Sequence, residues 1–166
     1  MAEVVGTLAF VVDRATLAHM RIRATVVSDS LDACMSKTSS PEQASATFRA
    51  LSDPTRVRML RLLASNDTEL CVCEFVDSLQ ERQYNVSRQL KVLVAAGLVD
   101  GRKDGRWVYY RLCPATAATD KHLRKLLVTL EVDDTLAGDQ KRFERRMTLR
   151  TDGQCRIGIQ TPSLAE

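Results

Sequence analysis

No stretch of this 166-residue chain approaches the ~20 consecutive apolar residues that a membrane-spanning helix needs. The apolar patch at residues 4–12 is too short to span, and no positively charged segment precedes it, so no secretory signal is read and a cytoplasmic protein is expected. Internal repeats and low-complexity tracts are also missing, which excludes solenoids and fibrous arrays. There is no glycine-rich phosphate cradle and no thiol nucleophile set in such a loop, so an enzyme such as an arsenate reductase is not expected. Cysteine is present but odd in number, five in all, and in a cytosolic chain of this size that favours reduced thiols with a metal or redox role over a disulfide framework.

What is present fits one ordinary domain with some extra chain, at 45% hydrophobic and 27% charged residues. The formal net charge is only +3, but residues 81–111 carry seven basic and three acidic side chains, which leaves the remainder at −1. A local basic patch of this kind points to nucleic acid more than the total charge does.

Residues 69–99 organise the chain. Val72, Phe75, Val76 and Leu79 fall at i, i+3, i+4 and i+7, so a short helix is expected over 72–79. Cys71 stands at its N-cap and Glu74 where a capping box places its acid. A second helix is expected over 83–96. It buries Val86, Leu90 and Leu93, turns Asn85, Ser87, Arg88 and Lys91 outward, and stops at Gly97. Before this pair, a helix from Ser45 carries Phe48 and Leu51. Asp53 and Pro54 then start another as N-cap and N1, which faces Val57, Leu60 and Leu63 inward and ends at Asn66-Asp67.

After the pair, residues 98–102 and 106–112 read as strands joined by Lys103-Asp104-Gly105, with Arg102, Lys103 and Arg106 clustered at the tip, within reach of a phosphate backbone. Leu123, Leu126, Leu127 and Leu130 stripe a further helix with no evident partner in so small a domain, and a dimer interface accounts for it. Three segments are expected: a poorly ordered extension over 1–43, a DNA-binding and dimerisation domain over 44–132, and a tail over 133–166 that is basic at 141–146 and turns at Asp152-Gly153 before Cys155. Met35 makes a natural-looking start, so residues 1–34 are expected to be either an over-extended reading frame or a disordered arm.

The blocks ALSDPTRVRMLRLL, ELCVCEF, YNVSRQLKVLVAAGLV and DGRWVYYRL, in this order and spacing, resemble the ArsR/SmtB family of metal-sensing repressors over roughly residues 44–130. That resemblance implies a mainly α winged helix-turn-helix homodimer with a β-hairpin wing, which binds operator DNA upstream of resistance genes and is released by a metal or metalloid. Carried onto this chain, the reading residues are Gln83, Tyr84, Asn85, Ser87, Arg88 and Lys91, with Arg102, Lys103 and Arg106 on the wing. Gln89 stands where the family often has histidine.

Thiolates are soft donors that select As(III), Sb(III), Cd(II), Pb(II) or Cu(I) over hard cations. A helix N-terminus lowers a thiol pKa, so Cys71 and Cys73 are expected to be available near pH 7. Within a helix, residues two apart point about 200° from each other. One ion can therefore be shared only if Cys71 lies outside the helix or the first turn distorts. The alternative is that both cysteines are small buried hydrophobes.

Trivalent arsenic takes three thiolates. Where the arsenic branch of the family often has its third cysteine this chain has Val76, so Cys155, Cys113 and Cys34 compete for that place and Cys155 is the choice, because a tail can fold back with little loop-closure cost, with binding by two thiolates alone as the alternative. The family's other site, for zinc, opens with Asp-x-His, matched by Asp120 and His122, but Asp133 and Leu136 then break the pattern. As(III) or Sb(III) is the expected inducer. Cd(II), Pb(II) or Zn(II) sensing, or a thiol-redox switch, on the same fold is the alternative.

Overall fold

The computed structural model describes residues 40–114 and 118–165. The expectations for the N-terminal arm, Met35 and Cys34 lie outside the described residues. Helix α1 is Pro41–Leu51, α2 Pro54–Asn66, strand β1 Leu70–Cys71, α3 Val72–Leu79, α4 Gln83–Ala95, β2 Val99–Asp104, β3 Trp107–Leu112, α5 Ala118–Thr129 and α6 Asp134–Met147, with a final 3₁₀ turn at Pro162–Leu164. Among the described residues no helix is long and apolar enough to cross a membrane.

The helix ends follow local chemistry. Ser40 accepts from Gln43 N at 3.2 Å and so starts α1 several residues ahead of the expected Ser45. Asp53 caps α2 by accepting from Arg56 N, and Asp67, with a φ of 42°, ends it. Beyond α4, Gly97 takes a φ of 64°. Leu98 N then donates to Leu93 O and Gly97 N to Val94 O, the two bonds of a Schellman stop.

The core lies where α2, α3 and α4 meet, with Met59, Leu60, Leu63, Phe75, Val76, Leu79, Val86, Leu90 and Leu93 buried. Leu127 of α5 and Phe143 of α6 enter the same cluster. The stripe on α5 therefore does have a partner within the chain: Leu127 is buried and Leu123 and Leu130 pack against the core, while Leu126 and Val128 face out. The segment after residue 133, read as a tail, opens with a helix. Its N-cap is Asp133, which accepts from Leu136 N at 2.8 Å.

β2 and β3 form the wing as an antiparallel hairpin in which Asp104 pairs with Trp107. The loop is therefore Gly105-Arg106, one residue later than the Asp-Gly signal suggests. Of these two residues only Gly105 has a positive φ, 59°, as in a type II′ turn. A third strand, β1, pairs with β3 (Leu70 with Tyr110, Cys71 with Tyr109), giving the order β1-β3-β2. That pairing ties the start of α3 to the wing.

Candidate metalloid centre and nucleic-acid interface

Cys71 ends β1 and is the N-cap of α3, with an extended backbone at φ −86° and ψ 168°. It thus lies outside the helix, which answers the geometric condition for sharing an ion with Cys73. Glu74 completes the capping box: its carboxylate accepts from Cys71 N at 2.8 Å, and the Cys71 thiol faces the Glu74 backbone N–H. Cys155 arrives from the other end of the described chain. Asp152 and Gly153, with φ of 52° and 72°, make a tight turn closed by Thr151 and Gln154, and Cys155 follows it. Its N–H donates to the Tyr109 hydroxyl at 2.8 Å.

Cys71, Cys73, Cys155 and Tyr109 form one buried cluster covered by Trp107 and Ile159, and the three thiols are free. The sulfurs of Cys71 and Cys155 and a Glu74 carboxylate oxygen all lie within 4.8 Å of one another. Cys113 is buried elsewhere, at the end of β3, in a small cavity with Leu60, Leu98, Leu123 and Leu127.

The tail is latched by two carboxylate–guanidinium pairs. Arg150 Nε and Nη2 donate to the two oxygens of Glu74 at 2.8 and 3.0 Å, and Nη2 also donates to Glu69 O at 2.6 Å. Arg146 pairs through Nε with Asp77 at 2.8 Å, and its Nη2 reaches Cys155 Sγ at 3.4 Å and Ile157 O at 2.9 Å. The other oxygen of Asp77 accepts from the backbone N–H groups of Gln160 and Thr161.

The thiols titrate differently from the helix-dipole expectation. A hydrogen bond with Cys73, burial and the Glu74 charge hold Cys71 well above the ordinary thiol range. Burial first, then the hydrogen bond with Cys71, pushes Cys155 up to about 12. Only Cys73 is lowered, because Cys71 donates to it. The hydrogen bond to Cys73, desolvation and a neighbouring carboxylate together outweigh the helix terminus at Cys71.

On α4, Tyr84, Arg88 and Lys91 are exposed and Gln83 and Ser87 half-buried. Asn85 is half-buried and engaged, donating to Glu81 at 3.0 Å and accepting from Gln89 at 3.2 Å. Gln89 is itself buried, accepts from Arg56 at 2.7 Å and so joins α4 to α2.

On the wing, Lys103 and Arg106 are exposed, with the Arg106 guanidinium 5.9 Å from the Trp107 ring centroid. Arg102 is exposed as well, but engaged. It pairs with Glu69 and Asp104, lies over the Tyr109 ring, and has its pKa raised chiefly by Glu69. Of the zinc-type residues, His122 is exposed and Asp133 caps α6.

Sequence reasoning missed Tyr109, Arg146 and Arg150, and read Glu74 as a cap alone. Two signals were available. Arg142, Arg146 and Arg150 recur every four residues beside Phe143 and Met147, and a cation on an apolar face needs a buried partner. Glu74 and Asp77 interrupt the apolar run of α3 in the same way.

The family model described as bacterial regulatory protein, arsR family, matches residues 53–100. The chain is 44% identical over 69 residues to an uncharacterised helix-turn-helix transcriptional regulator of Methanocaldococcus jannaschii, covering 42% of this chain and 76% of that protein. It is 40% identical over 92 residues to the arsenic resistance transcriptional regulator ArsR2 of Pseudomonas putida, covering 55% and 77% respectively. With the arsenical resistance operon repressor of Escherichia coli it shares 45% over 67 residues, which is 40% of this chain and 56% of that repressor.

Proposed function

Because this chain belongs to the ArsR family of DNA-binding transcription regulators, we propose that it is the repressor of a metalloid-resistance operon, released from its operator when As(III) or Sb(III) is held by Cys71, Cys73 and Cys155. The observation that carries this reading is the meeting of three free thiols, two from the start of the first reader helix and one from the tail, in one buried cluster. The donor set suits a pyramidal trivalent ligand. Operator DNA is read by α4, with Tyr84, Arg88 and Lys91 presented outward, and by Lys103 and Arg106 on the wing. The partner is a second copy of the chain, which covers the exposed Leu126 and Val128 of α5 together with Phe48 of α1.

The switch follows from where the sulfurs sit. Arsenous acid exchanges three As–O bonds for three As–S bonds, and each thiol proton leaves with a hydroxide as water. Drawing all three sulfurs to one centre displaces Cys71 from its capping geometry and pulls the first turn of α3 toward the tail. Since α3 packs directly on α4, the reading helix is re-aimed. Carrying a population from 1:99 to 99:1 requires about 5.5 kcal/mol of differential affinity, which three sulfur bonds to one ligand supply more readily than two. The test is a gel shift on the DNA upstream of the chain's own coding region with As(III), Sb(III), Cd(II) or Zn(II). Release by the trivalent metalloids at lower concentration than by the divalent ions supports the reading. Retained DNA with all four overturns it.

A further inference from the structure

Glu74 is where the thiol cluster and the tail latch meet. It is fully buried, and one of its oxygens belongs with the Cys71 and Cys155 sulfurs to a group of potential ligand atoms within 4.8 Å of one another. Two thiolates and a carboxylate oxygen make a donor set that a borderline divalent ion such as Zn(II) or Cd(II) accepts. Yet both oxygens are engaged. Oε1 accepts from Arg150 Nε at 2.8 Å, and Oε2 accepts from Arg150 Nη2 at 3.0 Å and from Cys71 N at 2.8 Å. A carboxylate gripped by both faces of a guanidinium fork has little lone-pair capacity left for a metal.

We propose that Arg150 is the selectivity gate of the thiol cluster: by holding Glu74 as an ion pair it withholds the carboxylate from coordination, so the site takes trivalent, three-sulfur ligands and discriminates against divalent ions. This rests on the reading that Cys71, Cys73 and Cys155 hold the inducer, and names what sets its selectivity.

Charge balance carries the argument further. Glu74 and Asp77 are matched by Arg150 and Arg146, so the buried surroundings of the thiols are formally neutral. Exchange of three thiols with arsenous acid releases three waters and leaves that balance intact. A divalent ion on three thiolates displaces three protons and brings two charges, which strands one negative charge in a dry site. Without Arg150 the balance changes, because Glu74 has lost its cation. A divalent ion held by Cys71, Cys155 and Glu74 then displaces two protons, brings two charges and gives the carboxylate a partner. Arg150 is also placed to act as a gate, since it lies just beyond α6, on the segment leading into the Thr151–Gln154 turn.

The test uses the full chain, reduced and free of oxygen, with Cd(II) and As(III) affinities measured by chelator or dithiol competition and read from sulfur-to-metal charge-transfer absorption. Arg150→Ala should raise the Cd(II) affinity relative to As(III) by about tenfold or more, the range in which partners of ligating groups act. Arg150→Gln, which keeps a neutral donor for Glu69 O, should do the same and serves if the alanine variant does not fold. The double variant Glu74→Gln with Arg150→Ala removes the pair together and should return the ratio to that of the wild type.

An unchanged ratio in the single variants overturns the gate. So does an equal rise in the double variant, which would show that the effect does not run through the Glu74 carboxylate. A measurement on the unaltered chain stands beside these: at the cadmium X-ray edge the wild-type complex should show sulfur as its only protein ligand, and a carboxylate oxygen there overturns the proposal. Failure of the wild type to bind As(III), or binding that survives loss of all three cysteines, sinks the earlier reading instead; intact As(III) binding with unaltered selectivity sinks only this one.

Discussion

A thiol at a helix N-terminus ordinarily ionises more easily, yet Cys71 is pushed the other way, first by the hydrogen bond it donates to Cys73, then by burial and the Glu74 charge. This has a consequence for pH dependence. Arsenous acid consumes thiol protons in forming water, so its affinity should be flat with pH while all three thiols are protonated, and should fall by about tenfold per unit once Cys73 ionises. A divalent ion must expel protons from Cys71 and from Cys155, whose pKa is pushed up to about 12. With Cys73 ionised, its affinity should therefore rise by about two decades per unit. Competition titrations from about pH 6 to about 8.5 check the two signs against each other.

Mutation of the same residues separates sensing from reading. Cys71→Ser and Cys73→Ser should each leave operator affinity within about threefold of wild type, since both side chains are buried, and should abolish release by As(III) because too little differential affinity remains. Fluorescence anisotropy on labelled operator reads both quantities. Release retained in the double variant would remove these cysteines from the site.

Among the elements, α3 and α4 were legible in the sequence because each has one apolar stripe and a definite stop, and their observed bounds follow Val72, Leu79, Gln83 and Gly97 closely. β1 was not, since two residues carry no period and its pairing depends on β3, nearly forty residues away. Nor was α6. Its apolar residues are few, and it is docked chiefly by charge: Asp139, buried, accepts from Arg58 Nε and Nη2 at 2.7 and 2.8 Å and from Arg142 at 2.6 Å. Asp139→Ala leaves two guanidinium groups without their shared partner and should cost about 3–5 kcal/mol in a denaturant melt. A loss under 1 kcal/mol would show that α6 is held by Phe143 and its neighbours alone.

The reader elements give a different test. Arg88→Ala on α4 should cost about 1–3 kcal/mol on operator and relax sequence preference if the side chain meets a base. Arg106→Ala on the wing should reduce the slope of log affinity against log salt by about 1 with specificity kept. Equal loss on operator and random DNA would demote Arg88 to a phosphate contact.

Over the whole molecule, the reader could be inferred from local sequence, whereas the closure of the tail over the thiols could only be a choice among Cys34, Cys113 and Cys155. The partners that bring Cys155 in (Glu74 with Arg150, Asp77 with Arg146, Tyr109 with the Cys155 N–H) are 46 to 76 residues apart, and no period links them. Arg146, in the basic run at 141–146, and Arg150 just beyond it thus prove to be the latch. Sharing of one ligand between tail and reader is tested most directly at the arsenic X-ray edge of the full chain loaded with one equivalent of As(III). Three sulfur neighbours in the wild type, falling to two in Cys155→Ser, is the expected result. Two in the wild type, or three retained in that variant, would contradict it.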